Sequence, residues 1–192
     1  SPVVAFLWRP EPGWPVVFVS ENITRFGYQA EDFTSGKLLY SDIVYPEDLS
    51  GLTAEVSDFE RHGQPYFIRE YRILTHSGEI KWVTERSMLA RDEVGGPSYY
   101  QGIIIDITHI KEMDIALKES ENKYRLIFEN SPIGLMHFTK DGVITDCNPA
   151  FEKIIGAEWN NIAGLDMIAL PDAAIVNVVT ETLSGGRCNY EG

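Results

Sequence analysis

Ile103-Ile104-Ile105-Asp106-Ile107-Thr108-His109-Ile110-Lys111-Glu112 opens the stretch whose reading decides the fold. Three β-branched residues in a row favour a buried strand. From Asp106 onward the composition turns to Met, Ala, Leu, Lys and Glu, with no Gly or Pro before Pro132, which favours helix. A strand therefore passes almost directly into a long helix reaching Asn130. Asp106 or Thr108 can cap its first turn by accepting a hydrogen bond from an orphan N–H. Lys111 rather than Glu stands three residues after Thr108, so that residue starts no full capping box. Steps of three and four from Ile107 trace a narrow apolar stripe of Ile107, Ile110, Leu117, Tyr124 and Phe128, interrupted by Asp114 and Glu121. The stripe predicts a weak coiled-coil seam, a rod able to pair with its own copy.

Upstream, Val3 to Trp8 and Pro15 to Ser20 read as two strands of a hairpin about the turn Arg9-Pro10-Glu11-Pro12-Gly13. Glu21 to Phe33 reads as short helical or irregular chain with Gly27 as a stop. Pro46-Glu47-Asp48 opens a helix through His62, since Pro and acidic residues suit the positive end. From Tyr66 the period changes to two. Tyr66 to Leu74 and Ile80 to Arg91 read as strands joined at His76-Ser77-Gly78-Glu79. In the second of these, Val83, Glu85, Ser87 and Leu89 share one face, and Trp82, Thr84, Arg86 and Met88 the other. Gly95-Gly96-Pro97 turns the chain into Ser98 to Asp106. This order predicts an antiparallel sheet with helices on one face, an α+β domain.

The pattern then restarts. Ile133 to Thr139 and Val143 to Asp146 read as a hairpin about Asp141-Gly142. Asn148 to Ile155 reads as a helix stopped by Gly156, and Pro171-Asp172 opens another through Leu183. Arg187 would begin a third strand. Two copies of one domain follow, with Pro46 and Pro171 in equivalent places. The expected division is a first domain at 1–106, a linker helix at 107–130 and the N-terminal part of a second domain at 131–192. The truncated second sheet is expected to leave an open edge for pairing.

The totals bound what such a chain can do. Its 192 residues carry 16 basic and 29 acidic side chains, a formal charge of −13. That balance argues against nucleic acid and anionic membrane as partners, since both need clustered Lys and Arg. No stretch is apolar enough to span a bilayer, and no basic-then-apolar leader precedes the first strand. Two cysteines, Cys147 and Cys188, make no disulfide scaffold. A cytoplasmic setting is expected, and a chain opening on Ser1 reads as a fragment of something longer. There is no phosphate loop, dinucleotide fingerprint, nucleophile elbow or zincin helix, so no catalytic residue is expected. The histidines at 62, 76, 109 and 137 show no metal spacing. Glu70, Arg72, Glu85 and Arg86 are expected to form cross-strand pairs on the exposed face.

In order and spacing the chain resembles tandem PAS domains, as found in sensor histidine kinases. In the first module the resemblance rests on Asn22-Ile23-Thr24-Arg25-Phe26-Gly27-Tyr28, Tyr45-Pro46-Glu47-Asp48, Glu70-Tyr71-Arg72-Ile73, Ser77-Gly78-Glu79-Ile80-Lys81-Trp82-Val83 and Gly102 to Thr108. In the second it rests on Glu129-Asn130-Ser131-Pro132-Ile133-Gly134, Asp141-Gly142-Val143-Ile144 and Asn148 to Gly156. It implies a five-stranded antiparallel sheet wrapped by short helices around a small cavity. It also implies that Asp106 and Thr108 are the Asp-x-Thr signature that relays signals into the following helix. Candidate pocket residues are Ile23, Phe26, Tyr71, Trp82 and Ile104.

Three cofactor types of that family can be set against these residues. Covalent flavin photosensors share an Asn-Cys-Arg run. Here Asn22-Ile23-Thr24-Arg25 and Asn148-Pro149-Ala150 hold the matching places, which disfavours an adduct. Haem-binding members use a His within the helix before the third strand; only His62 stands near, at the helix end, which disfavours haem. A non-covalently held FAD leaves no short motif, so it stays open, as does a small metabolite, and the cofactor is unknown. The implied role is a cytoplasmic sensory and dimerisation region. It would form a homodimer through the linker helix or the domain faces, with a kinase or other output domain in the same chain. The alternatives are a ligand-free scaffold whose core is filled by residues such as Phe18, Phe26, Tyr71 and Trp82, or the sensory part of a diguanylate cyclase or transcription regulator.

Overall fold

The computed structural model describes residues 2–62, 66–91 and 97–185. The chain divides into two compact units, Ser1–Ile115 and Ala116–Gly192.

The first unit is built on one antiparallel sheet of β1 (Val3–Trp8), β2 (Val16–Val19), β3 (Phe67–Leu74), β4 (Ile80–Arg91) and β5 (Pro97–Asp106), in the order β2-β1-β5-β4-β3. The last strand is thus the central one, flanked by β1 and β4. Between β2 and β3 lie a 3₁₀ turn (Glu21–Phe26), α1 (Ala30–Thr34), α2 (Tyr40–Ile43) and α3 (Pro46–His62). Gly27 closes the 3₁₀ turn at φ 82°, the left-handed conformation that only Gly adopts without penalty. The turns expected at Gly63 and at Gly95-Gly96 lie outside the described residues.

The alternation of β1 buries Val4, Phe6 and Trp8, and the core forms between that face and the helices. Phe6 and Trp8 stack with centroids 5.0 Å apart, and Tyr40 of α2 meets both edge-on at 5.2 and 5.3 Å. Edge-to-face and stacked pairs add about 0.5–1.5 kcal/mol each beyond area burial. α3 is clamped to β3 by Arg72. Its Nη2 lies 2.6 Å from Asp48 Oδ1 and 3.1 Å from Glu47 Oε2, and its backbone N–H donates to Asp48 Oδ2 at 2.8 Å. The Arg72 hydrogen bond holds the Asp48 carboxyl below the usual carboxylate range. The expected cross-strand pairing is therefore corrected. Arg72 pairs with a helix start, Glu70 with Lys111, and Arg86 stacks over Tyr66, because strand neighbours on this face are less complementary than the elements above them.

The helix α4 (Thr108–Asn130) follows β5, and the division between units falls within it. The second unit pairs β6 (Met136–Phe138) with β7 (Ile144–Cys147), then forms α5 (Pro149–Ile155), α6 (Trp159–Ile162) and α7 (Ala173–Leu183). Its core centres on Ile144, Ile162, Met167 and Val179. Asp172 caps α7 by accepting from the N–H groups of Ala174 and Ile175. The expected third strand at Arg187, and Cys188, lie outside the described residues. No described helix is long and apolar enough to cross a membrane.

Candidate functional site: a buried carboxyl in an aromatic cavity

Period two places Glu85 on the same face of β4 as Val83 and Ser87, and that face is the inner one. Glu85 is 8% exposed, which corrects the expectation of a solvated residue. The β period outranks the preference of carboxylates for water when the group finds donors. Tyr71 OH donates to Glu85 Oε2 at 2.7 Å, Ser87 Oγ donates to Oε1 at 2.7 Å, and Tyr40 OH lies 2.7 Å from Tyr71 OH. Arg69, opposite Glu85 on β3, turns its guanidinium to Glu55 of α3 instead. Burial pushes the Glu85 carboxyl up; the Tyr71 and Ser87 hydrogen bonds and the Arg69 charge oppose this without cancelling it. Burial likewise pushes the hydroxyls of Tyr40 and Tyr71 well up, so both stay protonated.

A folded-state value above the unfolded one means that protonated Glu85 favours the fold. Its contribution is complete below the ordinary carboxylate value and is lost as pH rises through the raised one. The stability of the first unit is therefore expected to decline over that window. Glu85→Gln should abolish this component of the decline, gaining on the parent chain as pH rises. Denaturant melts at acidic and neutral pH check it, and parallel pH profiles for the two chains would refute it.

Glu85 and Ser87 border a cavity of about 20 Å³, whose other walls include Trp8, Trp14, Leu52 and Phe67. That is space on the order of one or two water molecules. A flavin or a haem, which needs a pocket of roughly 300 Å³ or more, does not fit this core without repacking it. Trp8 Nε1–H, although buried, has no hydrogen-bond partner among the described residues. An unpaired buried donor costs about 1–3 kcal/mol. Trp14 sits at φ 50°, a left-handed conformation that costs a bulky residue on the order of 1–2 kcal/mol. It lines both this cavity and an outer cleft of about 440 Å³ bounded by Pro10, Ser41 and Thr53.

Among the candidate pocket residues, Ile23, Phe26 and Ile104 are buried in the core around the cavity but do not line it, and Tyr71 reaches it through Glu85. Trp82 is on the other face of β4. There its ring meets the Arg72 guanidinium at 5.7 Å and Lys111 Nζ at 5.2 Å, so it is no pocket residue. Phe18 is 52% exposed and fills no core.

The junction after β5 is tied to β4 on both sides. Asp106 Oδ1 accepts from the Thr108 N–H at 2.9 Å, and Thr108 Oγ1 accepts from the Trp82 N–H at 3.0 Å. Ile107 N–H donates to the Trp82 carbonyl, and Lys111 Nζ reaches Glu70 Oε2 at 2.6 Å. Ile107, just before α4, is buried in the first unit and Phe128 of α4 in the second, so neither is free for a partner helix. Ile110 and Leu117 are exposed, and Tyr124, half-exposed, bonds His137 Nε2 at 2.6 Å. Met113 and Ile127, also exposed, complete a stripe in steps of three and four through Ile110, Leu117 and Tyr124 that only Ser120 interrupts.

His62 stands at the α3 end against the Asp58 carbonyl, 3.0 Å away. No group of three metal-ligating side chains occurs among the described residues. The cavity residues Glu85 and Trp8 were not singled out as a site from sequence. The signal available was the shared face of Val83, Glu85 and Ser87.

Known proteins align with this architecture. A family profile described as PAS fold matches residues 16–104, and one described as PAS domain matches residues 122–185. The methyl sulfide methyltransferase-associated sensor of Methanosarcina acetivorans is 54% identical over 112 residues, 58% of this chain and 11% of that protein. The two-component sensor PprA of Pseudomonas aeruginosa is 29% identical over 170 residues, 85% of this chain and 18% of that protein. The chain thus spans less than a fifth of the length of either relative. A crystal structure of a sensory box histidine kinase/response regulator from Burkholderia thailandensis superposes with a TM-score of 0.51 at 23% identity. It covers 65% of this chain and 91% of that one.

Proposed function

The chain belongs to the PAS family, with two PAS modules in tandem, and we propose that it is the sensory region of a signal-transduction protein whose output domain lies in the same chain. A two-component histidine kinase is the output the relatives favour: PprA is a two-component sensor, and the superposed structure is a sensory box kinase. The chain itself carries no catalytic role in this reading.

The observation that carries the proposal is the junction. The central strand β5 leads straight into α4, and one side-chain cap and one cross-strand bond hold that exit. A change in the cavity alters the packing of β4, and Trp82 on β4 is the residue to which Thr108 is bonded. The helix then shifts between two arrangements of similar energy. The exposed stripe of Ile110, Met113, Leu117, Tyr124 and Ile127 supports pairing of α4 with its copy in a homodimer.

Asp106→Ala removes the cap at a cost of about 1 kcal/mol. In the full-length protein it is expected to flatten regulated output while the first module keeps its cooperative melt. Output measured with and without the stimulus checks this, and unchanged regulation would overturn the relay.

A second reading, a scaffold without ligand, draws support from the aromatic packing of Phe6, Trp8, Phe33 and Tyr40 around so small a cavity.

A further inference from the structure

Arg69 stands directly opposite Glu85 across the β3–β4 ladder. Residues so placed have Cβ atoms about 4.5–5.5 Å apart and share a face of the sheet. Here that face is the inner one. Yet the Arg69 guanidinium, on a side chain only 14% exposed, pairs with Glu55 of α3 and lies 5.7 Å from the Phe67 ring centroid. Glu85 forms no ion pair among the described residues, and the bonds it accepts come from the neutral hydroxyls of Tyr71 and Ser87. The Tyr40 hydroxyl of α2 joins it through Tyr71, and Tyr100 of β5 borders the same cavity. Its β5 neighbour in register is the apolar Ile104. From α3, Glu55 and Asp48 act on Arg69, and Asp48 is already bound by Arg72. This arrangement suits a carboxyl that carries a proton. The Glu55 side chain is 56% exposed, and exposed ion pairs contribute little to stability. An unpaired charge in the interior is costly by comparison. Ionisation of Glu85 therefore reverses which partner Arg69 favours.

We propose that Arg69 is a two-position switch set by the proton on Glu85. While Glu85 is protonated, Arg69 bridges β3 to Glu55 of α3. When the proton leaves to solvent, Arg69 turns inward to the Glu85 carboxylate and Glu55 is released to water. The hydroxyls of Tyr71 and Ser87 fit both states, because a hydroxyl can donate or accept. Burial of Glu85 places the exchange above the ordinary carboxylate range. The consequence falls on α3. Arg72 keeps its first turn tied through Glu47 and Asp48, so the helix is loosened only beyond that turn. Val56 and Phe59, on the loosened part, border the cavity. A rise in pH thus frees one wall of the core with no ligand present. Its use in signalling rests on the sensory reading, although the exchange of partners does not.

The test uses the whole chain, titrated from acidic to mildly alkaline pH. Carbon-detected NMR follows the Glu85 carboxyl, assigned with Glu85→Gln, and nitrogen NMR follows the Arg69 Nε–H, assigned with Arg69→Lys. The Arg69 signal is expected to move with the midpoint of Glu85. In Glu85→Gln it should keep its low-pH position throughout. Glu55→Gln changes a half-exposed helix residue and leaves the fold intact. It should remove the low-pH position of Arg69 and lower the Glu85 midpoint by roughly one pH unit. In an Arg69→Gln background, Glu55→Gln should no longer lower that midpoint, whereas a direct field of Glu55 on Glu85 would persist. Hydrogen-exchange protection of 53–62, corrected for intrinsic rates, should fall over the same window relative to 67–74. An Arg69 signal that stays in place while Glu85 titrates, a midpoint unmoved by Glu55→Gln, or a lowering that survives loss of Arg69 would each overturn the switch. If Arg69 stays in place while Asp106→Ala still flattens output, the switch falls and the sensory reading stands. If Arg69 changes partners while Asp106→Ala leaves output unchanged, the reverse holds.

Discussion

Asn148→Ala is expected to unfold the second module. Asn148 is fully buried, and its side chain makes four hydrogen bonds. Its Oδ1 accepts from the N–H groups of Leu135 at 2.8 Å and Phe151 at 2.9 Å, and its Nδ2 donates to the carbonyls of Phe128 and Ile133 at 2.9 Å each. One side chain thus joins the end of α4, the chain entering β6 and the start of α5. Alanine leaves four backbone groups without partners in a site too tight to hydrate freely, a loss of about 4 kcal/mol. A small domain has only about 5–15 kcal/mol in all, and this one rests on a small core, centred among the described residues on Ile144, Ile162, Met167 and Val179. Asn148→Asp is expected to fare no better. It keeps the two acceptor bonds but turns an oxygen towards two carbonyls. Hydrogen exchange resolved by mass spectrometry checks this: protection of 133–155 should collapse while 67–106 keeps its protection. Unaltered exchange in the second module would mean that water replaces the side chain.

The same residue type occupies the matching place in the first module. Asn22 donates to the Val3 carbonyl and receives the Ser20 hydroxyl. The repeat was legible from the sequence because such positions recur in order with Gly27 and Gly156 and with Pro46 and Pro171. The strands were legible because alternation is a local property, as the inner row of Val83, Glu85 and Ser87 demonstrates. What alternation does not say is which row faces the core. Residue type then misleads, since Trp82 looks like core and Glu85 like surface, and the structure reverses both. The outer face suits Trp82 because Arg72 and Lys111 stack on it, while the inner face suits Glu85 because Tyr71 and Ser87 supply its donors. The two ends of the expected seam, Ile107 and Phe128, are buried in the modules for a related reason. The expected seam and the exposed stripe share Ile110, Leu117 and Tyr124 and differ by one residue elsewhere, as at Ile127 and Phe128. Only tertiary burial distinguishes Ile107 and Phe128, taken up by the modules, from the neighbours left exposed. The orphan donor of Trp8 has no sequence signature at all, because it depends on what the neighbouring helices fail to offer.

Gly102→Ala is expected to destabilise the first module by about 3 kcal/mol, the upper part of the range for overpacking a well-filled core. Gly102 lies in the middle of β5, opposite Phe6 on β1 and Ser87 on β4. A Cβ built there would stand 2.6 Å from the Arg86 carbonyl oxygen, 2.6 Å from Ser87 Cβ and 2.8 Å from Ser87 Cα. Two of those atoms are backbone of the adjacent strand, so no side-chain rotation relieves the contact, and the β4–β5 ladder must open. Because β5 is central, the shift is transmitted to β1 on one side and to β4 on the other. Ser87 is the donor to Glu85 Oε1, so the displacement also loosens the buried carboxyl. For a module of this size, 3 kcal/mol corresponds to a midpoint lower by on the order of 15 °C. Tryptophan fluorescence reports it well, since Trp8, Trp14 and Trp82 all belong to this module and Trp159 alone to the other. A thermal midpoint within a degree or two of the parent chain would mean that the two strands separate without cost, and the close approach of β5 to β4 would then have no structural role. The same variant distinguishes packing from chemistry at the cavity. If Glu85 loses its Ser87 donor while the module still folds at low temperature, its carboxyl moves further up, and the pH-dependent decline in stability starts at the same pH but continues to a higher one than in the parent chain.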